Sequence, residues 1–203
     1  MRDGKAFAEV QLAISGEYNV RNALAVIAAA DEQGLSVAEI RAGLAAFQGV
    51  RRRMELKGEA RGVLVIDDFA HHPTAIAETL RALKQRYAGR RVWCVLEPRS
   101  WSLRRNVFQG TLPAAFDAAD EVVLAEVFGA EQIPPAERLD PKQLVLDIAG
   151  RGRPARFLPD VDAIVGYLVE QTRPSDVVAV LSNGGFGGIH AKLLTALEAK
   201  VRT

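Results

Sequence analysis

From residue 63 onward the chain alternates two kinds of pattern. Short apolar stretches at 63–66, 92–96, 121–127, 155–158 and 177–181 are separated by segments whose apolar residues recur every three or four positions. Ile76, Leu80, Leu83 and Tyr87 line one such face. Val161, Ile164, Val165 and Leu168 line another, and Ile189, Leu193, Leu194 and Leu197 a third. A period near 3.6 predicts an amphipathic helix, whereas a short apolar run bounded by turn residues predicts a strand buried on both faces. Strands alternating with helices predict the α/β class: a mostly parallel sheet with helices on both faces. Further helices are expected around Val107, Phe108, Leu112, Ala115 and Phe116, interrupted at Pro113, and from Asp140 or Pro141 to Ile148. Residues 128–141, with Pro134-Pro135, read as a long and mobile loop.

The first 49 residues are patterned differently. Phe7, Val10, Leu12 and Ile14 alternate in part and predict a strand over 6–14. Val20, Leu24 and Ile27 predict a helix that Gly34 stops. Ser36, with Glu39 three residues on, is a capping box for a second helix whose apolar face is Ile40, Leu44 and Phe47. This unit is too small to bury a core alone, and the best domain division lies near 48–53. Its opening inside an ordered element carries the expectation of a longer polypeptide. Residues 54–60 and 62–66 read as two strands around a tight turn at 60–62.

Composition adds exclusions rather than a function. The 203 residues are 49% hydrophobic and 25% charged, which suits a soluble globular chain with a sizeable core. A formal net charge of +1 supplies no global pull towards nucleic acid or a membrane, and neither is expected as a partner. The single Cys94 lies in an apolar run, cannot form an internal disulfide, and fits a buried thiol in a reducing, cytoplasmic setting. No stretch approaches the roughly 18–20 apolar residues of a membrane span.

Candidate chemistry sits where the strands end. In open α/β sheets, ligands bind outside the carboxyl ends of the strands. Four polar turns leave those ends: 67–74, 97–102, 126–131 and 182–190. The first, Asp67-Asp68-Phe69-Ala70-His71-His72-Pro73-Thr74, holds two adjacent carboxylates and two of the three histidines. Strand alternation sends Asp67 and Asp68 to opposite sides. One carboxylate suits paired ribose hydroxyls, and His71 or His72 suits positioning or deprotonating a substrate group. A metal site is disfavoured, because a strand-end turn splays four ligands so close in sequence. Arg99, Arg104, Arg105 and the run Arg51-Arg52-Arg53 suit carboxylate or phosphate, against the plainer reading of a solvated surface. The glycine-rich turn 182–188 opens a helix and suits close backbone approach to an anion, against the alternative of a tight strand–helix turn. It lacks the full dinucleotide fingerprint, which disfavours a nicotinamide oxidoreductase.

Taken together, Asn19-Val20-Arg21-Asn22-Ala23, Gly49-Val50-Arg51-Arg52-Arg53 and the stretch from Asp67 to Thr74 resemble, in order and spacing, the ATP-dependent Mur ligases of peptidoglycan synthesis. Glu97-Pro98-Arg99-Ser100 and Ser182-Asn183-Gly184-Gly185-Phe186-Gly187-Gly188-Ile189-His190 resemble the peptidoglycan-recycling branch of that family. The resemblance implies that residues 1–49 are the tail of the central ATP-binding domain, a small α/β remnant, and that 50–203 are the Rossmann-like C-terminal domain. It also implies ATP and Mg²⁺ as cofactors, with the Mg²⁺ ligands mainly on a domain outside this chain. The family's phosphate-binding loop, Gly-x-x-Gly-Lys-Thr/Ser, has no match here.

The implied reaction joins the recycled tripeptide L-alanyl-γ-D-glutamyl-meso-diaminopimelate to UDP-N-acetylmuramate through an acyl phosphate. Its partners are those two substrates and the family's N-terminal and central domains. By resemblance Asn19, Asn22, Arg53 and Asp68 contact the nucleotide, Asp68 at the ribose. His71 and His72 stand as catalytic candidates where nucleotide and peptide meet. Arg99, Ser182, Asn183 and Phe186 receive the amino component. The isolated chain is expected to be inactive. The alternative is a stand-alone, non-catalytic module that binds a nucleotide or a peptide.

Overall fold

Six strands build one sheet in the order β1-β2-β6-β3-β4-β5 in the computed structural model, which describes residues 6–200. They are β1 (Glu55–Ala60), β2 (Val63–Asp68), β3 (Val92–Leu96), β4 (Glu121–Leu124), β5 (Ala155–Phe157) and β6 (Val177–Leu181). The helices are α1 (Glu17–Glu32), α2 (Val37–Ala46), α3 (Pro73–Arg86), α4 (Pro141–Gly150), α5 (Val161–Gln171) and α6 (Ile189–Ala199). The chain divides into two compact units, Met1–Arg51 and Arg52–Thr203. No described helix is long and apolar enough to cross a membrane.

In the second unit every pairing is parallel except β1 with β2, which form an antiparallel hairpin. Arg61 and Gly62 make its two-residue turn, both at positive φ, as a turn matched to the strand twist requires. A side chain at Gly62 would also press on the backbone of Pro174. The central strands β2, β3 and β6 bury every residue, which is why β3, β6 and the first four residues of β2 read as unbroken apolar runs. Val63, Val65, Trp93, Val95, Val178 and Val180 pack with Ile164, Leu168, Leu193 and Leu197 of α5 and α6. The opposite face is covered from α3, whose Ile76, Leu80 and Leu83 are fully buried. Caps begin the helices: His72 for α3, Asp140 for α4 and Asp160 for α5. Pro73 and Pro141 occupy the first turns of α3 and α4, where a missing N–H costs nothing.

β6 returns from the far edge of the sheet to lie between β2 and β3. The loops leaving β2, β6 and β3 therefore emerge side by side at one rim. This arrangement is what turns three separate motifs into one site.

Several expectations need correction. Residues 6–15 form no strand among the described residues, because a strand needs a ladder partner and the first unit's described elements are two helices. The helix expected around 107–116 is two short 3₁₀ turns, Asn106–Phe108 and Leu112–Phe116. Gly110 separates them, and Pro113 removes a donor that an α-helix would use. Segment 128–141 is not a free loop. It buries Ile133 and Leu139, carries two 3₁₀ turns, and pairs Arg138 with Arg105 in a β-bridge. β2 runs two residues further than expected, so Asp67 and Asp68 end the strand instead of opening the turn.

Candidate functional site

The last two residues of β2 face opposite ways, as strand alternation requires. Asp67 points towards α6, where His190 Nε2 lies 3.4 Å from its Oδ1. Neither atom has an aligned hydrogen bond, so the two groups touch without one. Arg52 Nε donates to the other oxygen of Asp67 at 3.1 Å. Burial pushes the Asp67 carboxyl up, but His190 and Arg52 outweigh it and hold the group below its ordinary value.

Asp68 points towards α3 and is 1% exposed. Its Oδ2 accepts the Met54 amide at 2.8 Å, and its Oδ1 accepts the Ala70 amide at 2.8 Å and the Thr79 hydroxyl at 3.3 Å. Burial pushes its carboxyl up, and these donors with the charge of Arg53 offset that only in part. The group clamps the backbone beside Arg53 to the backbone beside His71. Its oxygens are turned inward, so a ribose hydroxyl meets no free carboxylate face here.

The three-arginine run is resolved by backbone geometry. Arg52 (φ 59°) and Met54 (φ 48°) both hold left-handed conformations, at a cost of about 1–3 kcal/mol each. Arg52 is thereby turned into the rim, where its Nη2 donates to the carbonyls of Ser182 at 2.6 Å and Gly184 at 2.7 Å. Arg53 is left exposed, with its guanidinium 5.6 Å from the centre of the Phe69 ring. Arg52 lies 5.2 Å from the same ring.

The two histidines take different roles. His71 Nδ1 donates to the Phe69 carbonyl at 2.8 Å, so in its neutral form Nε2 remains as an acceptor. His72 caps α3: its Nδ1 accepts the Thr74 amide at 3.3 Å, so its Nε2 carries the proton when neutral. His72 is exposed and meets Phe108 edge to face at 4.9 Å.

Glu97, at the end of β3, joins the rim to the glycine-rich turn. It accepts from the Ser182 hydroxyl, which in turn accepts the Gly184 amide at 2.9 Å. Arg99 lies 3.5 Å from Glu97 and stacks 3.6 Å from the centre of the Phe128 ring. A side chain at Gly184 would meet the Arg99 side chain where it stands, so Arg99 would have to move to admit one. The turn then passes through Phe186, Gly187 and Gly188, all at positive φ, into α6. Asn183 Oδ1 is buried with no hydrogen-bond partner.

The rim thus gathers Arg53, His71, His72, Arg99 and Asn183 as side chains with uncommitted groups. Ser182 is committed to Glu97 and Gly184, and Phe186 is buried in the core. In the first unit Asn22 is exposed on α1, and the Asn19 amide donates to the Ser15 carbonyl at 2.6 Å. Sequence reading gave Arg52, Glu97, Gly184 and His190 no individual role, although all four lie in the arginine run or the strand-end turns it singled out. Among the described residues no group of three or more His, Cys, Asp and Glu is placed to hold a metal ion. They do not fit a Mg²⁺ cage.

A mostly parallel sheet whose strand ends present arginines, histidines and a glycine-rich turn defines an α/β domain with a candidate site at those strand ends. Residues 52–184 match the family described as "Mur ligase, glutamate ligase domain", and the chain belongs to the Mur ligase family. It is 42% identical, over 98% of its length, to the UDP-N-acetylmuramate–L-alanyl-γ-D-glutamyl-meso-2,6-diaminoheptandioate ligase of Escherichia coli K12, and covers 41% of that protein. It is 38% identical, over 90% of its length, to a UDP-N-acetylmuramate–L-alanine ligase of Clostridium kluyveri, covering 42% of it. The crystal structure of a murein peptide ligase from Psychrobacter arcticus 273-4 superposes with a TM-score of 0.72 at 38% identity, covering 97% of this chain and 40% of that one. The chain therefore spans about two-fifths of the length of these relatives.

Proposed function

We propose that this chain is the carboxyl-terminal portion of an ATP-dependent ligase that joins the tripeptide L-alanyl-γ-D-glutamyl-meso-2,6-diaminoheptanedioate to UDP-N-acetylmuramate in the cytoplasm, in peptidoglycan recycling. The observation that carries this reading is the 42% identity to the Escherichia coli tripeptide ligase over nearly the whole chain. Residues 1–49 are read as the tail of the ATP-binding domain and 50–203 as the C-terminal domain. The phosphate cradle and the Mg²⁺ ligands belong to the part of the relatives that this chain does not span.

The residues divide by what they have free. Arg53 is the group offered to the nucleotide, because Arg52 is used up inside the rim. Asn22 is the nucleotide candidate of the first unit; Asn19, its amide bonded to Ser15, is the weaker one. Asp68 is a positioning residue: it fixes the amides that flank Arg53 and His71. The free Nε2 of His71 suits accepting a proton from the incoming amine, and the Nε2 proton of His72 suits donating to an oxygen anion. Arg99 and Asn183 face the amino component, held by Glu97, Ser182 and the packed Phe186. When bound, Mg²⁺ would supply charge neutralisation on the phosphates. Catalysis then rests on positioning and on electrostatic stabilisation of charge that grows during transfer.

The test compares the purified chain with the longer polypeptide that contains it. The chain alone should give no ATP-dependent product, while the longer protein should form the UDP-N-acetylmuramoyl tripeptide. In that protein Arg53→Ala should raise KM for ATP and leave KM for UDP-N-acetylmuramate unchanged. Ligation by the chain alone, or equal losses for both substrates, would overturn the assignment. The alanine-ligase relative defines a second reading, in which free L-alanine is the amine. Comparing alanine with the tripeptide as acceptor separates the two.

A further inference from the structure

In the glycine-rich turn the backbone groups of both neighbours of Asn183 are tied down. The Ser182 amide donates to the Asp68 carbonyl at 3.1 Å, and the Gly184 amide donates to the Ser182 hydroxyl at 2.9 Å. The carbonyls of Ser182 and Gly184 both accept from Nη2 of one side chain, Arg52. The Asn183 side chain is the exception, because its Oδ1 is buried with no partner. A buried acceptor left empty is costly, so a fixed frame around one such oxygen suits presenting it to a ligand's donor.

The backbone at Arg52 is strained to reach this arrangement. Arg52 holds φ 59° and Met54 holds φ 48°, a region that disfavours any residue with a Cβ. Such strain persists where the surroundings enforce it, and it collects at functional sites. Here the Arg52 amide donates to Glu55 Oε2 at 2.8 Å, its Nε donates to Asp67 Oδ2 at 3.1 Å, and the Phe69 ring centre lies 5.2 Å from its guanidinium. Asp67 reaches the far end of the same turn, since its Oδ1 lies 3.4 Å from His190 in the first turn of α6. Arg52 and Asp67 thus grip the turn before and after its glycines. A partly buried ion pair adds little net stability over well-packed apolar side chains, so stability alone does not account for it.

We infer that Arg52, backed by Asp67, is a positioning residue: it sets the glycine-rich turn so that Asn183 meets the incoming amino component, and it touches no substrate itself. Its planar guanidinium serves two carbonyls and a carboxylate at once, whereas a lysine ammonium keeps the charge without the fork. The adjacent arginines therefore divide the work, Arg53 towards the nucleotide and Arg52 through Asn183. The identity of the amino component rests on the ligase reading above, while the grip on the turn does not.

Hydrogen exchange on the 203-residue chain tests the grip. In Arg52→Lys the amides of Ser182, Gly184 and Gly188, all hydrogen-bonded in the parent, should exchange about tenfold or more faster, while those of β3 keep their rates. Asp67→Asn, which leaves Arg52 its two carbonyls, should loosen the same amides less, and serves if Arg52→Lys disturbs the fold. Unchanged exchange at all three amides in both variants, or faster exchange spread evenly over the sheet, would overturn the grip. In the longer polypeptide Arg52→Lys should raise KM for the tripeptide about tenfold and leave KM for ATP within about twofold, the opposite of Arg53→Ala. An equal rise in both values makes Arg52 a structural residue and ends the positioning role. Ligation at an unchanged tripeptide KM ends it too, and spares the ligase reading. Local loosening in a protein with no ligase activity keeps the grip on the turn and sinks the ligase reading.

Discussion

The two units of this chain are built from helices of similar quality and differ in what those helices have to lie on. In the first, α1 buries only Ala23 and α2 only Ile40, while Val20, Leu24, Val26 and Phe47 stay exposed. In the second, α3 alone buries five residues against a sheet whose central strands are closed on both faces. The capping box of α2 is complete, with Ser36 and Glu39 each satisfying the other's backbone amide. Good local signals therefore make a helix in both units. Only the sheet converts an apolar stripe into burial, and burial supplies most of the stability of a helix in a folded protein.

The strongest test of that contrast is dissection. Residues 52–203 made alone should unfold in one cooperative transition in urea, while 1–51 alone should show weak helical circular dichroism and no cooperative transition. A cooperative 1–51 would remove the contrast. Next comes a cavity in the second unit: Leu80→Ala should cost about 2–5 kcal/mol by urea denaturation. The matching change in the first unit, Leu24→Ala at a side chain 58% exposed, should stay within about 0.5 kcal/mol. Asp68→Ala comes between them. It leaves the Met54 and Ala70 amides without their acceptor, for about 1–3 kcal/mol, and should disorder 52–54 and 69–72 together by hydrogen exchange.

A smaller effect concerns the opposite end of the sheet. Burial pushes the Asp176 carboxyl up, yet Arg91, the Arg173 amide and the Trp93 indole hold it below its ordinary value of 3.8. A lowered carboxyl contributes stability that is present above that value and is lost as pH falls through the folded one. The stability gap between the parent chain and Asp176→Asn should therefore be constant near neutrality and shrink below about pH 3.8. A gap that persists in acid would assign the effect to packing instead.

Much of the second unit was legible because its strands are buried on both faces. The runs at 92–96 and 177–181 coincide with β3 and β6. The opposite directions of Asp67 and Asp68 followed from strand alternation alone. Residues 6–14 misled because partial alternation promises a strand only where a partner strand exists. Residues 107–116 misled because an apolar period survives in 3₁₀ turns that a proline has shortened. At the rim, adjacent Arg52 and Arg53 are chemically identical, and only the positive φ angles at Arg52 and Met54 send one inward and the other out.

By itself the sequence determined the α/β class, most of the strands and helix starts, and the four turns that carry polar groups. These depend on local periodicity, capping and composition, which neighbouring residues settle among themselves. The tertiary structure decided which of those polar groups remain free. It closed Asp68 and Ser182 with internal hydrogen bonds and drew Arg52, Glu97 and His190 into the rim. Those outcomes depend on β6 inserting between β2 and β3, a pairing of strands more than a hundred residues apart that no local pattern encodes.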